Sequence, residues 1–222
     1  MRSSSLLSSI TVQVTVGRRW FLWYPYRSGT FPIPKIMTQK TWDEKYTSAC
    51  DPAGEPSSFL EENIQRLPQG RALDLAMGNG RNAFFLAAHG YAVDALDYSE
   101  VAVDKVRSFV QEKSLPVHVT QADLTHYQVP ENTYDVIINF YFLERTLTPR
   151  ITKGLKKGGM LLFETYTTEQ SLYGRPHNPD YLLKPNELLH SFIDLTIIYY
   201  HERVVKSPEE TKAIASLLAQ KV

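Results

Sequence analysis

Short apolar runs and amphipathic stretches alternate along the chain after residue 57. A continuous apolar run bounded by turn residues is typical of a strand buried on both faces, whereas apolar positions at helical spacing predict a helix. The runs predict strands over residues 71–77, 91–96, 134–140 and 160–163, and the alternation of apolar and polar residues predicts a short strand over residues 117–121. Strands that alternate with helices in this way indicate an α/β protein with a mostly parallel sheet.

Helical spacing of apolar side chains predicts helices between these strands. One covers residues 56–67, and a second follows Gly80. A third begins after Ser99, whose hydroxyl suits an N-cap, and it stops at Lys113. A fourth covers residues 147–156. These helices supply the crossover connections that a parallel sheet needs.

The last third of the chain follows a less regular pattern. Residues 157–159 (Lys-Gly-Gly) predict a turn into the fifth strand, and residues 164–183 are too polar and proline-marked for a core, so a loop is expected. Residues 185–192 predict a short helix and residues 195–204 a sixth strand. Residues 211–220 are ambiguous, because their periodicity also fits a helix.

A glycine turn separates the first strand from its helix. Gly78 and Gly80 let the backbone pass close to a ligand, and the helix that follows offers unpaired N–H groups. Asp97 ends the second strand, where a carboxylate can accept hydrogen bonds from two ribose hydroxyls. The spacing through Ala83 also fits a dinucleotide fingerprint. Asp74 favours a ligand with a cationic amino-acid end, because its charge would repel a pyrophosphate.

At these residues the chain resembles the class I S-adenosylmethionine-dependent methyltransferases, whose first motif has the form D-x-G-x-G-x-G. Residues 74–80 read Asp-Leu-Ala-Met-Gly-Asn-Gly, with Ala76 in place of the first glycine. The string over residues 73–97 is most similar to the tellurite-resistance methyltransferases and related small bacterial enzymes. Residues 155–165 resemble the family's L-K-P-G-G stretch, with lysine replacing proline, and the resemblance covers most of residues 37–222.

The resemblance implies a Rossmann-like, seven-stranded, mostly parallel sheet with helices on both faces and an antiparallel C-terminal hairpin. Residues 211–220 are therefore assigned as the last strand, and residues 37–222 as one methyltransferase domain. Residues 1–36 are expected to be a mis-assigned start or a targeting segment, and disordered, because they are rich in serine and arginine and lack acids.

The resemblance also implies S-adenosyl-L-methionine as the cofactor. Asp74 and the glycine turn would hold its methionine end, Asp97 its ribose and Asp123 its adenine edge, although Asp123 could equally cap a turn. Trp42 or Tyr46 would lie over the cofactor as a lid, the alternative being ordinary packing. The full set of predicted cofactor-binding residues is Asp74, Ala76, Gly78, Asn79, Gly80, Asn82, Asp97, Tyr98, Ser99, Ala122, Asp123, Leu124 and Asn139.

Candidates for contact with the methyl acceptor follow the fourth and fifth strands: Tyr141, Arg145, Glu164 and His177. Glu164 is interpreted as a base or an orienting group, with a hydrogen bond to the neighbouring loop as the alternative. Arg145 would orient an anionic substrate, unless it forms a helix-end salt bridge. His177 would act as a base, unless it is a solvated loop histidine.

Charge and composition narrow the class of partner. The formal net charge is zero, but residues 1–42 hold six basic residues and no acid, so the remainder carries 18 basic against 24 acidic side chains. That balance argues against a nucleic-acid partner. No apolar run reaches the length of a membrane span, and a single cysteine, Cys50, fits a reducing compartment. We expect a cytoplasmic monomer or homodimer without a metal, because the histidines show no paired ligand spacing.

The sequence therefore predicts methyl transfer from S-adenosylmethionine to a small-molecule acceptor. The acceptor is a soft sulfur, selenium or tellurium nucleophile or a small hydroxyl or amine compound, and the residues leave both classes open. An NAD(P)-dependent oxidoreductase and a non-catalytic protein that binds S-adenosylmethionine are the alternatives.

Overall fold

The computed structural model describes residues 38–48, 54–208 and 210–222. Their helices are α1 (Gln39–Ser48), α2 (Ser58–Asn63, extended by a 3-10 turn at Ile64–Arg66), α3 (Arg81–Ala88), α4 (Glu100–Lys113), α5 (Thr148–Gly154) and α6 (Glu187–Ser191). Their strands are β1 (Arg71–Leu75), β2 (Ala92–Asp97), β3 (Val117–Gln121), β4 (Tyr134–Phe140), β5 (Leu155–Tyr166), β6 (Thr196–Lys206) and β7 (Thr211–Gln220). The predictions for residues 1–36 and for Cys50 lie outside the described ranges.

The strands form one seven-stranded sheet in the order β3-β2-β1-β4-β5-β7-β6. Strands β1 to β5 pair in parallel, while β7 runs antiparallel to both β5 and β6. The strand order reverses between β1 and β4, where the carboxyl ends of the strands leave a crevice for a ligand. The predicted fold, including the antiparallel hairpin, is confirmed.

Helices cover both faces of the sheet because the central strands are apolar on both sides. On one face, a core cluster joins Leu60, Leu86 and Val106 of α2, α3 and α4 to the sheet. On the other, Ile151 of α5 and Leu188 of α6 pack against a second cluster. Burial on both faces explains why β1 and β4 read as nearly continuous apolar runs.

The start of β5 corrects one expectation. The fourth predicted helix ends at Gly154, and residues 157–159 belong to the strand instead of a turn. The Gly158 N–H donates to the carbonyl of Lys221 at 2.7 Å, and the Lys221 N–H donates to Gly159 at 2.9 Å. The chain's last residues thus extend the ladder over the glycines, a pairing that local sequence does not encode.

The end of β5 corrects a second expectation. Residues 164–166 were expected in a loop, but they continue β5 and pair with Ile214, Ala215 and Ser216 of β7. The strand continues because β7 supplies a neighbour for its backbone groups. Glu164 is therefore a buried strand residue, only 2% exposed, and its carboxylate lies inside the domain.

The remaining loop, residues 167–183, is held to the sheet at both ends. Thr168 donates its N–H to Leu183 at 2.9 Å, and the buried side chain of Gln170 accepts from Ala213 N–H at 2.8 Å. No helix among the described residues is long and apolar enough to cross a bilayer.

Candidate functional site

The turn between β1 and α3 forms the floor of the crevice. Ala76, Gly78 and Gly80 all have positive φ, at 57°, 56° and 79°. A Cβ at Gly78 would lie 2.9 Å from the hydroxyl of Tyr46, and a Cβ at Gly80 would lie 2.7 Å from the ring of Phe84. The turn is therefore glycine-dependent at these two positions for both conformation and space.

Asp97 ties the glycine turn to the end of β2. Its Oδ2 accepts from the Gly78 N–H at 2.8 Å, and its Oδ1 accepts from the Ser99 N–H at 2.9 Å. Burial raises the pKa of Asp97, while these backbone hydrogen bonds oppose the rise. The carboxylate keeps the turn in place whether or not it also binds a ribose.

Asp74 carries an unsatisfied buried oxygen. The residue is 1% exposed, and its Oδ2 is the one buried side-chain polar atom without a hydrogen-bond partner among the described residues. Burial, together with the charge of Asp97, raises the pKa of Asp74 to about 8. The charge of Arg81 and a hydrogen bond from the Ala83 N–H lower the pKa, but by less. An orphaned carboxylate beside a glycine turn is a site for a cation that can donate hydrogen bonds.

Helix α1 lies against this turn. Asp43 accepts hydrogen bonds from the Ser99 hydroxyl at 2.6 Å and from the Val101 N–H at 3.4 Å, at the start of α4. Tyr46 points its hydroxyl at Gly78, and burial, together with the nearby charges of Asp97 and Asp74, raises the pKa of Tyr46. The aromatic residue that the sequence proposed as a lid is thus in contact with the predicted cofactor turn.

Other predicted cofactor residues have identifiable structural partners. Asn82 accepts from the Ser57 N–H at 2.9 Å, Asn139 donates to the carbonyl of Phe142 at 2.7 Å, and Ser99 caps α4 through the Ala102 N–H at 3.2 Å. The Ala122 N–H donates to the carbonyl of Asp97 at 2.9 Å. Of the rest, Leu124 is buried, Asn79 is half-buried and Tyr98 is exposed.

Asp123 is exposed and bound within its own turn. Its Oδ1 accepts from the Thr125 N–H at 3.0 Å and from the Thr125 hydroxyl at 2.6 Å. The hydroxyl hydrogen bond lowers the pKa of Asp123. This geometry is the turn cap that the sequence left open as the alternative, and the adenine contact stays a prediction.

Two acceptor candidates come together in a buried polar chain. Tyr141 donates its hydroxyl to Glu164 Oε1 at 3.1 Å, and Ser216 donates to Glu164 Oε2 at 2.5 Å. Arg203 donates to the Ser216 hydroxyl at 2.6 Å and lies 3.4 Å from Glu164 Oε2. Glu164 therefore has three donors around its carboxylate, and its role as a base or an orienting group stays a prediction.

Sequence reasoning missed Ser216 and Arg203, the two residues of the β6–β7 hairpin that take part in these hydrogen bonds with Glu164. Their positions follow from strand pairing, since Ser216 lies opposite Glu164 in the β5–β7 register. The available signal was indirect: a polar residue inside the apolar strand β7 needs a buried partner.

The other two acceptor candidates lie elsewhere. Arg145 makes two hydrogen bonds to Glu187, at 2.5 and 3.1 Å, and donates to the carbonyls of Asp180 and Leu182. Its guanidinium is engaged in holding the loop to α6, as the salt-bridge alternative anticipated. His177 is exposed on that loop, and its role as a base stays a prediction.

The strand order, glycine turn and orphaned carboxylate define a Rossmann-like domain that suits a nucleoside ligand with a cationic end. Residues 72–159 match a family model described as a methyltransferase domain. Hemagglutinin 1 of Eikenella corrodens is 29% identical over 66% of this chain and 51% of that protein. A probable S-adenosyl-L-methionine-dependent methyltransferase, TehB of Haemophilus influenzae, is 27% identical over 60% of this chain and 49% of that protein.

The crystal structure of TehB from Haemophilus influenzae superposes with a TM-score of 0.66 at 20% identity, covering 83% of this chain and 67% of that one. Residues 72–159 are thus similar to methyltransferase domains, and the fold of the chain is similar to that of TehB. The chain spans about half the length of the two relatives that it matches by sequence.

S-adenosyl-L-methionine is the cofactor named for TehB, and the residues of this crevice fit it. Its amino-acid end carries an ammonium group, which the unpartnered Oδ2 of Asp74 can accept from. The space over Gly78 and Gly80, which a Cβ would fill, allows close approach to the backbone. A bound ammonium favours the anionic form of Asp74, whereas a pyrophosphate at the same place would oppose it, which argues against the dinucleotide alternative.

Proposed function

We propose that this protein transfers a methyl group from S-adenosylmethionine to a small-molecule acceptor. The observation that carries the proposal is the buried, unpartnered oxygen of Asp74 beside a glycine turn in a methyltransferase domain. Such an atom costs free energy unless a ligand satisfies it, so its presence at a crevice indicates a binding function.

The chain's own residues bind and align the reactants. We propose that Asp74 and the turn at Gly78–Gly80 hold the methionine end, and that Asp97 accepts the ribose hydroxyls on the oxygens that already hold the turn. The assignment of Asp123 to the adenine edge belongs to the same proposal. When bound, the cofactor supplies a methyl group on a positively charged sulfur, and alignment supplies much of the rate enhancement.

Two aromatic side chains flank the part of the crevice that the structure describes. The carboxyl ends of β4 and β5 carry Tyr141 and Tyr166, whose rings pack with centroids 5.1 Å apart. Lys212 of β7 lies with its Nζ 5.0 Å from the centre of the Tyr141 ring and pairs with Glu210. We propose that this aromatic corner, next to the glycine turn, receives the acceptor.

The test is turnover by the full chain. The protein is incubated with S-adenosylmethionine and, separately, catechol, 2-mercaptoethanol, selenite or putrescine, and S-adenosylhomocysteine is measured by mass spectrometry. We expect its production to exceed the acceptor-free rate with at least one acceptor. Cofactor binding without turnover across the panel would contradict the proposal and favour the non-catalytic alternative.

A further inference from the structure

In the hydrogen bonds that connect Arg203 to Tyr141, chemistry fixes which group donates and which accepts. A guanidinium can only donate, so the contact from Arg203 makes the Ser216 oxygen an acceptor of that bond. The Ser216 proton is then free to point to Glu164 Oε2, at 2.5 Å. Arg203 also donates to the same oxygen, at 3.4 Å, so Oε2 accepts from two donors.

A carboxylate can only accept hydrogen bonds, so Tyr141 must donate to Glu164. The Tyr141 hydroxyl has one proton, and that proton is directed to Glu164 Oε1 at 3.1 Å. The hydroxyl therefore has only its lone pairs left to offer a ligand. A proton-bearing group can bind there, whereas an oxyanion would approach lone pair against lone pair.

The backbone of Tyr141 is held in a costly conformation to make this arrangement. Its φ is 57°, a region that a non-glycine side chain enters at a cost of about 1 kcal/mol or more. The Tyr141 N–H donates to the carbonyl of Glu164 at 2.8 Å, so the same residue fixes both ends of Tyr141. Strain that is held in place at the carboxyl end of a parallel strand is typical of a functional position.

We propose that Tyr141 is the residue that contacts the methyl acceptor, and that its hydroxyl accepts a hydrogen bond from a protic O–H or N–H group of that acceptor. Glu164, Ser216 and Arg203 are positioning residues, which act by committing the proton of Tyr141. The inference rests on the proposed function and selects between the two acceptor classes that the sequence left open. It favours hydroxyl and amine compounds over anionic sulfur, selenium or tellurium species.

Two of the charged groups around the ring are paired within the protein. Lys212, over the ring of Tyr141, is paired with Glu210, and Glu164 is paired with Arg203. A third, Arg81, acts on Tyr141 and Tyr166 and donates to the carbonyl of Glu55 at 3.2 Å, so a probe anion is needed to test whether this cation binds an anionic acceptor.

The test uses the full chain saturated with S-adenosylhomocysteine and two probes, catechol as a hydroxyl donor and thiocyanate as an anion without a proton. Calorimetry measures the binding of each probe to the wild type and to Tyr141→Phe. We expect catechol to bind the wild type and to lose about tenfold in affinity in Tyr141→Phe, because one hydrogen bond is removed. Tyr173→Phe, an exposed tyrosine on the loop, is the matched control and should bind catechol like the wild type.

Glu164→Gln is the sharper variant. With Ser216 still donating to one side-chain atom, the amide NH₂ faces Tyr141 and turns its proton toward the crevice. We expect catechol affinity to fall and thiocyanate affinity to rise in this variant. Thermal unfolding of each variant checks that it remains folded. Ser216→Ala removes one donor to Glu164 and keeps the Arg203 charge pair, so we expect its catechol affinity to lie between those of the wild type and Glu164→Gln.

Three results would overturn the inference: catechol failing to bind the wild-type complex, catechol binding equally to wild type and Tyr141→Phe, or thiocyanate binding more tightly than catechol to the wild type. A failure of S-adenosylhomocysteine itself to bind would instead overturn the proposed function, so the two failures are distinguishable.

Discussion

At the scale of single residues, the departure of Ala76 from the family motif has a measurable cost. The position has a φ of 57°, which glycine adopts freely and alanine does not. Alanine therefore keeps the turn at the cost of local strain, and the sequence alone shows the substitution but not the sign of φ.

Ala76→Gly is expected to leave stability unchanged or to raise it. Glycine relieves about 1 kcal/mol of left-handed strain in the folded state. It also lowers stability by about 0.4–1 kcal/mol, because the unfolded chain gains conformational freedom. Urea unfolding measures the difference. Ala95→Gly, in the buried strand β2, is the control and should lose about 1 kcal/mol or more, since no strain is relieved there. A loss at Ala76 as large as that at Ala95 would contradict the strain assignment.

The buried carboxyl of Asp74 leads to a second prediction, which concerns how the free energy of unfolding depends on pH. Its folded-state pKa is about 8, above the ordinary value of 3.8, so the folded protein binds this proton more tightly than the unfolded chain does. Stability of the free protein should therefore fall as pH rises from about 4 through 8.

Asp74→Asn lacks this proton and should lose less stability between pH 5 and pH 8.5. At the upper pH we expect the variant to be more stable than the wild type by about 1 kcal/mol or more, in the absence of cofactor. Denaturant unfolding at the two pH values measures this. Parallel pH dependence of the two proteins would show that Asp74 is not the group responsible.

At the scale of elements, α1 is held by its contacts with α4 and not by a core of its own, because its residues are at most half-buried. Asp43 places a carboxylate at the amino end of α4, where the helix dipole and the free N–H groups favour a negative charge. That contact keeps Tyr46 over Gly78.

Asp43→Ala should release α1 and weaken cofactor binding by about fivefold to tenfold, the equivalent of about 1 kcal/mol. Limited proteolysis of α1 and calorimetry with S-adenosylhomocysteine are the two measurements. Glu44→Ala, an exposed acid on the same helix, is the control and should change neither. Unchanged proteolysis of Asp43→Ala would mean that other contacts hold the helix.

The elements also show what the sequence could predict. Strands β1, β2 and β4 were predictable because each is a compact apolar run, and β3 because its apolar residues alternate with polar ones. Helix α4 was predictable because Ser99 caps it and Ser114 ends it. The extent of β5 was not, because residues 155–159 and 164–166 are ordered by partners far along the chain. Periodicity leaves residues 211–220 undecided, and the resemblance identified them as a strand.

The candidate site divides in the same way. Asp74, Gly78 and Asp97 follow one another closely in sequence, so the motif reveals them. The environment of Glu164 depends on Ser216 and Arg203, which are distant in sequence and meet it through strand pairing. A position at the end of a predicted strand made Glu164 a candidate, but it does not show that the carboxylate is already enclosed.

At the scale of the whole molecule, the chain's last residues close the sheet. Lys221 donates its Nζ to the carbonyl of Leu155 at 2.7 Å and to Asn132 Oδ1 at 3.1 Å, linking the end of the chain to the start of β5. This contact joins the parallel half of the sheet to the hairpin that carries Ser216 and Arg203.

Lys221→Met keeps the aliphatic stem and removes these bonds, so we expect about 1–2 kcal/mol of lost stability in urea unfolding. Lys157→Met, an exposed lysine of β5, is the control and should lose less than about 0.5 kcal/mol. Equal losses would show that the ammonium contacts of Lys221 contribute nothing specific.

The central claim is that the buried carboxylate of Asp74 binds the amino-acid end of S-adenosylmethionine. The most direct measurement is calorimetric titration of the full chain with S-adenosylhomocysteine, for the wild type, Asp74→Asn and Asp135→Asn. Asp135 is the control because it lies at the opposite end of β4, paired with Lys156. We predict binding in about the micromolar range for the wild type and Asp135→Asn, and a loss of about 100-fold in Asp74→Asn. Equal affinities for all three, or no binding to a folded wild type, would contradict the account.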